Sequence, residues 1–340
     1  MVTKKVVYNA VAGSGKTSYI IDELDEKKRT LILTYTINNE QQIRSRIIKK
    51  FGYMPENIIV KKIFSFLYSF CLRPYLPLNS LIKGITFNHP SYIKQPSNKV
   101  GYFMTESGYV YSNKLSLLIL TKEINYIERL NKFFDIIYID EFQDLSSDEL
   151  KIAYSLKQFK GSVKLFGDFF QTTFSTSNRG NNMKNVKSSI NNFLDSYKNE
   201  GYQIDTQKFI SSQRCPSSVT QFINDKLNIP MTSKKSESYI LQLIKDKNCI
   251  DEIVSNNSIP KLFYSKSSSY KCHSMNWGES KGLTFENVCV ILNATTFKHF
   301  RNDTLNQLAS TTKNKFYVAC TRASKNLYFI EEKQVKSYKL

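Results

Sequence analysis

Val6-Val7-Tyr8-Asn9-Ala10-Val11-Ala12-Gly13-Ser14-Gly15-Lys16-Thr17 carries the reading of the whole chain: a β-branched run, a short glycine turn, then Lys-Thr ahead of a helical pattern with Tyr19, Ile20 and Leu24. Strand, turn and helix in that order are the context a phosphate-binding loop requires. Glycines let successive backbone N–H groups curl around phosphate oxygens, and the helix that follows adds its dipole. Ala12, Gly13, Ser14, Gly15, Lys16, Thr17 and Ser18 are therefore read as the cradle. Lys16 would span the β and γ phosphates of ATP, and Thr17 would ligate Mg²⁺. The full pattern GxxxxGK[ST] has glycine where this chain has Ala10. Because Ala10 is expected to stay in the strand, the departure is minor.

Outward from this loop, β-branched runs alternate with helical stretches, the pattern of a parallel sheet covered by helices. Strands are predicted at Lys5–Val11, Thr30–Thr34, Ile58–Lys62, Ile136–Ile139 and Ser162–Phe166, each followed by a polar or glycine-containing turn where such sheets bind ligands. Between about residues 73 and 114 the pattern breaks, with Pro74, Pro77, Pro90 and Pro96, then alternating Tyr109 and Tyr111. This segment is predicted to be a small insertion of β character, and Glu123–Phe134 a helix. Ser175–Asn185 has a loop's composition and marks a domain boundary. Further strands are predicted at Gln207–Ile210, Lys261–Tyr264, Val288–Leu292 and Leu327–Ile330. The expected organisation is an α/β chain of two domains, residues 1–177 with the insertion and residues 178–340.

With 340 residues the chain can bury two cores, and 41% hydrophobic against 23% charged residues is ordinary for a globular protein. No window approaches the roughly 18 apolar residues of a membrane helix, so no membrane partner is expected. Met1–Ala12 imitates a signal peptide, but its apolar run is too short, which points to a cytoplasmic protein. Six scattered cysteines without a CxxC pair, and three histidines, suggest neither a zinc site nor a disulfide framework. The 48 Lys and Arg against 29 Asp and Glu leave a formal charge of +19, which suits a polyanionic partner; the alternative is a solvated lysine-rich surface.

A second constellation follows the strand at 136–139: Asp140-Glu141-Phe142-Gln143-Asp144. An apolar strand delivering two adjacent carboxylates is the Walker B arrangement, although acidic pairs also occur simply as helix N-terminal charges. Here Asp140 would hold Mg²⁺ through its water shell and Glu141 would act as the base that orients and deprotonates the attacking water.

DEFQD is similar to the Walker B motif of superfamily 1 helicases of the UvrD/Rep type, and further segments resemble that family's motifs in order across nearly the whole chain. Leu31–Asn38 resembles the single-strand contact motif and Lys62–Phe66 the next, with Phe64 where the family usually has histidine. Gly167-Asp168-Phe169-Phe170-Gln171 resembles the coupling motif, and Gln213-Arg214-Cys215-Pro216 the arginine motif opening the second motor domain. Gly278–Phe285, containing Gly282 at the nucleotide, resembles the fifth motif and Tyr317–Ala323 the sixth.

The resemblance implies two RecA-like P-loop NTPase domains with ATP and Mg²⁺ in the cleft, and an ATP-driven motor on single-stranded or partly duplex DNA, with RNA the other candidate. By the same resemblance Gln143 and Gln171 sense the γ-phosphate, while Arg214 and Arg322 act as arginine fingers from the second domain. Thr34, Tyr35, Thr36 and Asn38 contact the strand, and Phe64, Phe174 and Trp277 are candidate stacking platforms, each weighed against a place in the core. The family's usual large second insertion is missing, since only about 60 residues separate Arg214 from Gly278. Glu279–Val288 and Ser310–Tyr317 look most similar to compact UvrD-like proteins of the Gabija anti-phage system, which act beside a nuclease subunit. A second reading is therefore an ATP-gated DNA-binding switch that licenses a partner nuclease. A third is a P-loop kinase, which the fifth and sixth motifs disfavour.

Overall fold

The computed structural model describes residues 4–77, 80–90, 95–97, 99–145, 147–172 and 185–340. The chain divides into two compact units, one of Met1–Tyr8, Thr17–Phe166 and Thr176–Asp205, the other of Asn9–Lys16, Gly167–Ser175 and Thr206–Leu340.

The first unit is built on the β-branched runs. Strands β1 (Lys5–Asn9), β2 (Thr30–Thr34) and β3 (Ile58–Lys62) are followed by two short strands of the insertion, β4 (Gly84–Thr86) and β5 (Tyr109–Tyr111). Next come β6 (Ile136–Asp140), β7 (Ser162–Gly167) and β8 (Gln203–Asp205). Six of these form one sheet in the order β3-β2-β6-β7-β1-β8, with β2 and β6 in parallel register from Thr30 opposite Ile136 to Leu33 opposite Ile139. All five residues of β2 are buried, which is why this strand reads as a continuous apolar run rather than an alternating one. Helix Ile37–Phe51 leaves β2 with Thr36 as its N-cap, accepting from the Asn39 amide at 3.2 Å, and ends at Gly52 with φ of 83°. It turns Ile43 and Ile47 inward.

The insertion is small, as expected. β4 and β5 pair in parallel, Gly84 opposite Tyr109, and Gly108 makes the turn before β5 with φ of +91°. A Cβ there would lie 2.1 Å from the Leu81 carbonyl oxygen, so only glycine fits. The helix expected over Glu123–Phe134 starts later, at Tyr126, because Glu123 takes φ of 48° and Asn125 caps the helix by accepting from the Glu128 amide.

The predicted strand at Gln207–Ile210 does not form. Those residues make a turn in which the Ile210 amide donates to the Gln207 carbonyl at 3.3 Å, and the strand lies earlier, as β8, paired in parallel with β1. The first unit thus runs on past the cut expected at residue 177, because β8 and helix Ile190–Asn199 stay with the first sheet. Nearly all of the expected boundary at Ser175–Asn185 lies outside the described residues.

In the second unit, β9 (Ser211–Ser212) pairs with β10 (Thr232–Ser233). β11 (Leu241–Leu243), β12 (Lys261–Phe263), β13 (Ser274–Asn276), β14 (Val288–Leu292) and β15 (Leu327–Glu331) form a parallel sheet ordered β11-β15-β14-β12-β13. Its core gathers Val288, Val290, Leu292, Leu327 and Phe329 with Trp277, Phe316 and Tyr317. Helix Ser310–Cys320 is buried from Phe316 to Cys320, apolar all round in its last turns as a central helix must be.

Candidate nucleotide site and single-strand contacts

The phosphate loop lies in the second unit. Ala10 and Ala12 are fully buried, and the Ala10 amide donates to the Gly167 carbonyl at 2.8 Å. Ala10 therefore continues the ladder of β1, and an alanine in place of the consensus glycine fits without strain. Gly13 and Gly15 take φ of +70° and +88°, where an L side chain is disfavoured. A Cβ on Gly13 would sit 2.6 Å from Arg214 Cβ, and one on Gly15 2.6 Å from Gln213 Nε2. Ser212–Cys215 straps the loop: the Gln213 amide donates to the Gly13 carbonyl at 2.8 Å and Ser212 Oγ to the Ala12 carbonyl at 2.8 Å. Lys16 is 8% exposed, and the buried Ser14 hydroxyl has no hydrogen-bond partner among the described residues. A glycine-lined turn with an orphaned buried hydroxyl is suited to phosphate oxygens.

Asp168 is buried beside this loop. Its Oδ1 accepts from the Phe170 amide at 3.1 Å, and its Oδ2 accepts from Gln171 Nε2 at 2.9 Å and from the Tyr317 hydroxyl at 2.8 Å. The Tyr317 oxygen also accepts the Ala12 amide at 2.9 Å. Burial first, and the nearby Asp168 charge second, push the Tyr317 phenol well above its ordinary pKa, so it stays protonated.

Arg214 donates to the Thr321 carbonyl at 3.3 Å. Arg322 is 1% exposed; its Nε donates to the Val318 carbonyl at 2.9 Å, Nη1 to the Leu283 carbonyl at 3.2 Å and Nη2 to Thr321 Oγ1 at 3.1 Å. Burial, then the charge of Arg214, lower its pKa to about 9. Those three acceptors are neutral, so an arriving anion would be stabilised by this pair of guanidiniums. Lys16 falls in the same compact unit as both arginines, because residues 9–16 pack with the strap and with Tyr317. The fifth and sixth motifs are joined, the Phe285 amide donating to the Arg322 carbonyl at 3.0 Å. Gly282 turns with φ of +87° and open space where a Cβ would be.

The acidic pair lies in the first unit. Thr17 Oγ1 donates to Asp140 Oδ2 at 3.3 Å, bringing together the two residues expected to hold Mg²⁺. Two adjacent oxygen donors suit a hard divalent cation that keeps most of its waters. Glu141 follows at φ of 59° and ψ of 41°, a left-handed conformation uncommon for a non-glycine residue, with its amide donating back to Asp140 Oδ1 at 3.1 Å. Gln143 is fully buried and its Nε2 donates to Glu141 Oε2 at 2.5 Å.

The single-strand candidates separate on inspection. Thr34 is 2% exposed, Tyr35 is half-buried, and Thr36 and Asn38 are exposed at the start of helix Ile37–Phe51. Tyr35 meets Phe64 edge-on with centroids 5.8 Å apart, and Phe64 meets Phe87 edge-on at 5.5 Å. Trp277 is corrected: it is fully buried in the second core, donating Nε1 to the Leu262 carbonyl at 2.8 Å, and offers no stacking face. Phe174 lies outside the described residues. Two residues escaped the sequence reading. Phe87, 64% exposed, sits in the insertion with no motif around it, and Tyr317 stands inside the sixth motif, whose spacing says nothing of a hydroxyl reaching Ala12.

A profile of the viral superfamily 1 RNA helicase core domain matches residues 121–331, a span that begins after the phosphate loop and includes the acidic pair and both arginines. No curated protein matches by sequence. Among solved structures, the chain is similar to an arterivirus nonstructural protein 10 (helicase) in complex with DNA, with 13% identity and a TM-score of 0.51, over 99% of this chain and 63% of that one. It is also similar to the helicase of PRRSV, at 12% identity and a TM-score of 0.47, over 99% of this chain and 54% of that one. The chain thus spans less than two thirds of the length of these structures. At such identity the likeness is one of fold: α/β, with two RecA-like P-loop NTPase domains and a small insertion in the first.

Proposed function

The chain belongs to the family of viral superfamily 1 RNA helicase core domains, and from that membership we propose that it is an ATP-driven motor on single-stranded nucleic acid. The observation that carries this reading is the Thr17–Asp140 pair at 3.3 Å with Glu141 held left-handed directly after it. A carboxylate in a sparsely populated backbone conformation is a feature of functional sites, where the surrounding structure holds it in place.

In this proposal Lys16 neutralises the β and γ phosphates while the amides of Gly13–Lys16 grip them. Bound Mg²⁺, held through Thr17 and Asp140, would supply charge neutralisation on the phosphate oxygens. Glu141 accepts the proton of the attacking water, and Gln143, hydrogen-bonded to it, fixes its rotamer. Gln171 reports the γ-phosphate, and Arg214 and Arg322 offset the charge that builds on the transferring group. Tyr35 and Phe64, with the exposed Thr36 and Asn38, supply sequence-tolerant contacts to the strand, while Thr34, buried at the end of β2, offers no surface to it. The +19 charge supports a polyanion, and RNA and DNA are both substrates to be compared.

A narrower reading, drawn from the UvrD-like resemblance, is an ATP-gated switch that licenses a nuclease partner. The small insertion, with two three-residue strands, favours it over a processive duplex-separating enzyme. The test of the ATP site compares Lys16→Ala with Glu141→Gln. Lys16→Ala should weaken nucleotide binding and hydrolysis together. Glu141→Gln should still bind ATP but hydrolyse it about 10²- to 10⁴-fold more slowly, the usual contribution of a positioned base. Normal hydrolysis by Glu141→Gln would overturn the assignment.

A further inference from the structure

Two donors meet on one oxygen of Asp168, and one of them, Tyr317, also holds the backbone of the phosphate loop. The Ala12 amide donates to the Tyr317 oxygen at 2.9 Å, the Tyr317 hydroxyl donates to Asp168 Oδ2 at 2.8 Å, and Gln171 Nε2 donates to the same oxygen at 2.9 Å. Every member is 5% exposed or less. In a site this dry the bonds are directional, and an unmade one costs far more than in water. Ala12 is clamped on both sides, since its carbonyl accepts from Ser212 Oγ at 2.8 Å. Its amide is thereby committed to Tyr317, one residue before the first glycine of the turn. The ring is fixed independently of the hydroxyl: Phe170 packs edge-on against it at 6.0 Å, and the residues that follow it to Cys320 are all buried. Five residues on, Arg322 anchors its Nε on the Val318 carbonyl, the next residue after Tyr317.

We infer that Tyr317 is a positioning residue that ties the phosphate loop to Gln171 through Asp168, so that the loop's setting and the orientation of the sensing amide change together. This rests on the reading of Gln171 as the residue that reports the γ-phosphate. Tyr317 touches no substrate in this account; it acts by holding Ala12 and by orienting the carboxylate that orients Gln171. The high phenol pKa keeps the proton on Tyr317, so the direction of donation, toward Asp168, is fixed.

The test is Tyr317→Phe, which keeps the ring and removes only the hydroxyl, measured alone and with Gln171→Ala. Alone it should lower kcat for ATP by on the order of ten- to a hundredfold through misplacement, while KM for ATP changes by less than about twofold. In the Gln171→Ala background it should lower kcat by clearly less than it does alone, because only its hold on Ala12 is then left to lose. A role in packing alone predicts fully additive effects in the double variant, and that result overturns the inference. If Gln171→Ala slows turnover but Tyr317→Phe does not, the positioning role fails while the sensor reading stands. If Gln171→Ala leaves turnover unchanged, both fail. Should Tyr317→Phe not fold, amide hydrogen exchange on the unaltered protein decides. The Ala12 amide should be protected without nucleotide, and rapid exchange there would overturn the link.

Discussion

Gly13→Ala isolates the cost of crowding the phosphate loop. At φ of +70° an alanine meets the left-handed penalty, about 1–2 kcal/mol. Its methyl would also lie 2.6 Å from Arg214 Cβ and 2.9 Å from Ser212 Oγ, atoms near the backbone of the strap that cannot swing aside. Overpacking of this kind adds about 1–3 kcal/mol, for a total of about 2–5 kcal/mol. Gly52→Ala is the control: φ is +83° but nothing lies within 4 Å of the new methyl, so it meets only the backbone penalty. The difference, about 1–3 kcal/mol, is roughly a five- to 150-fold change in the folding equilibrium. It should appear as a lower unfolding free energy of Gly13→Ala by denaturant titration, with the hydrogen bond from the Gln213 amide to the Gly13 carbonyl strained or lost. Equal unfolding free energies in Gly13→Ala and Gly52→Ala would refute the packing argument. It would mean that the strap is not held where Arg214 and Ser212 now stand.

Trp277→Ala should cost about 3–5 kcal/mol of stability by thermal or denaturant unfolding, whereas Phe64→Ala should cost less and weaken single-strand binding more. The reverse pattern would restore Trp277 as a platform. Glu23 gives a pH signature. Burial alone would raise its pKa, but the hydrogen bonds from Lys164 and Tyr19, with Tyr138 beside them, outweigh it and hold the carboxyl below its ordinary value of 4.5. Its contribution is therefore complete above about pH 4.5 and is lost as pH falls through the depressed folded value. Glu23→Gln should flatten the stability profile in that acid window and leave its slope near neutrality unchanged; an unchanged acid limb would contradict the assignment.

Much of the fold was legible because the physics that makes these strands also marks the sequence. β2 and β14 are fully buried runs rich in β-branched and leucine residues, and a pattern of that kind has few alternatives once it is bounded by turns. Gln207–Ile210 misled for the opposite reason. Four residues with one isoleucine carry little periodicity, and the strand that forms instead, Gln203–Asp205, is specified by pairing with β1 rather than by its own composition. That pairing also carries the first unit past residue 177, a long-range fact that local composition does not record.

The candidate site divides in the same way. Residue types that chemistry demands at fixed spacing, such as Gly13, Gly15, Lys16 and Thr17, or Asp140 with Glu141, stand out in a chain with only 12 glycines. Aromatic residues do not, because 45 of them, 23 Phe, 21 Tyr and 1 Trp, are shared between core and surface. Trp277 went to the core since its indole N–H found a buried carbonyl, and Phe87 came to the surface on an insertion without a motif. The burial of Arg322 was equally unreadable, for its acceptors at Val318 and Leu283 come from the helix that ends just before it and from the turn after Gly282.

The central claim is that ATP turnover and single-strand binding belong to one machine, and the ATPase rate with and without single-stranded RNA and DNA tests it most directly. The account predicts a low basal rate raised many-fold by at least one of the two nucleic acids. In Arg322→Ala the stimulation should vanish, with hydrolysis down by roughly 10³-fold or more as for a lost arginine finger, while ATP still binds. A rate indifferent to both nucleic acids, or an Arg322→Ala variant stimulated like the unaltered chain, would contradict it.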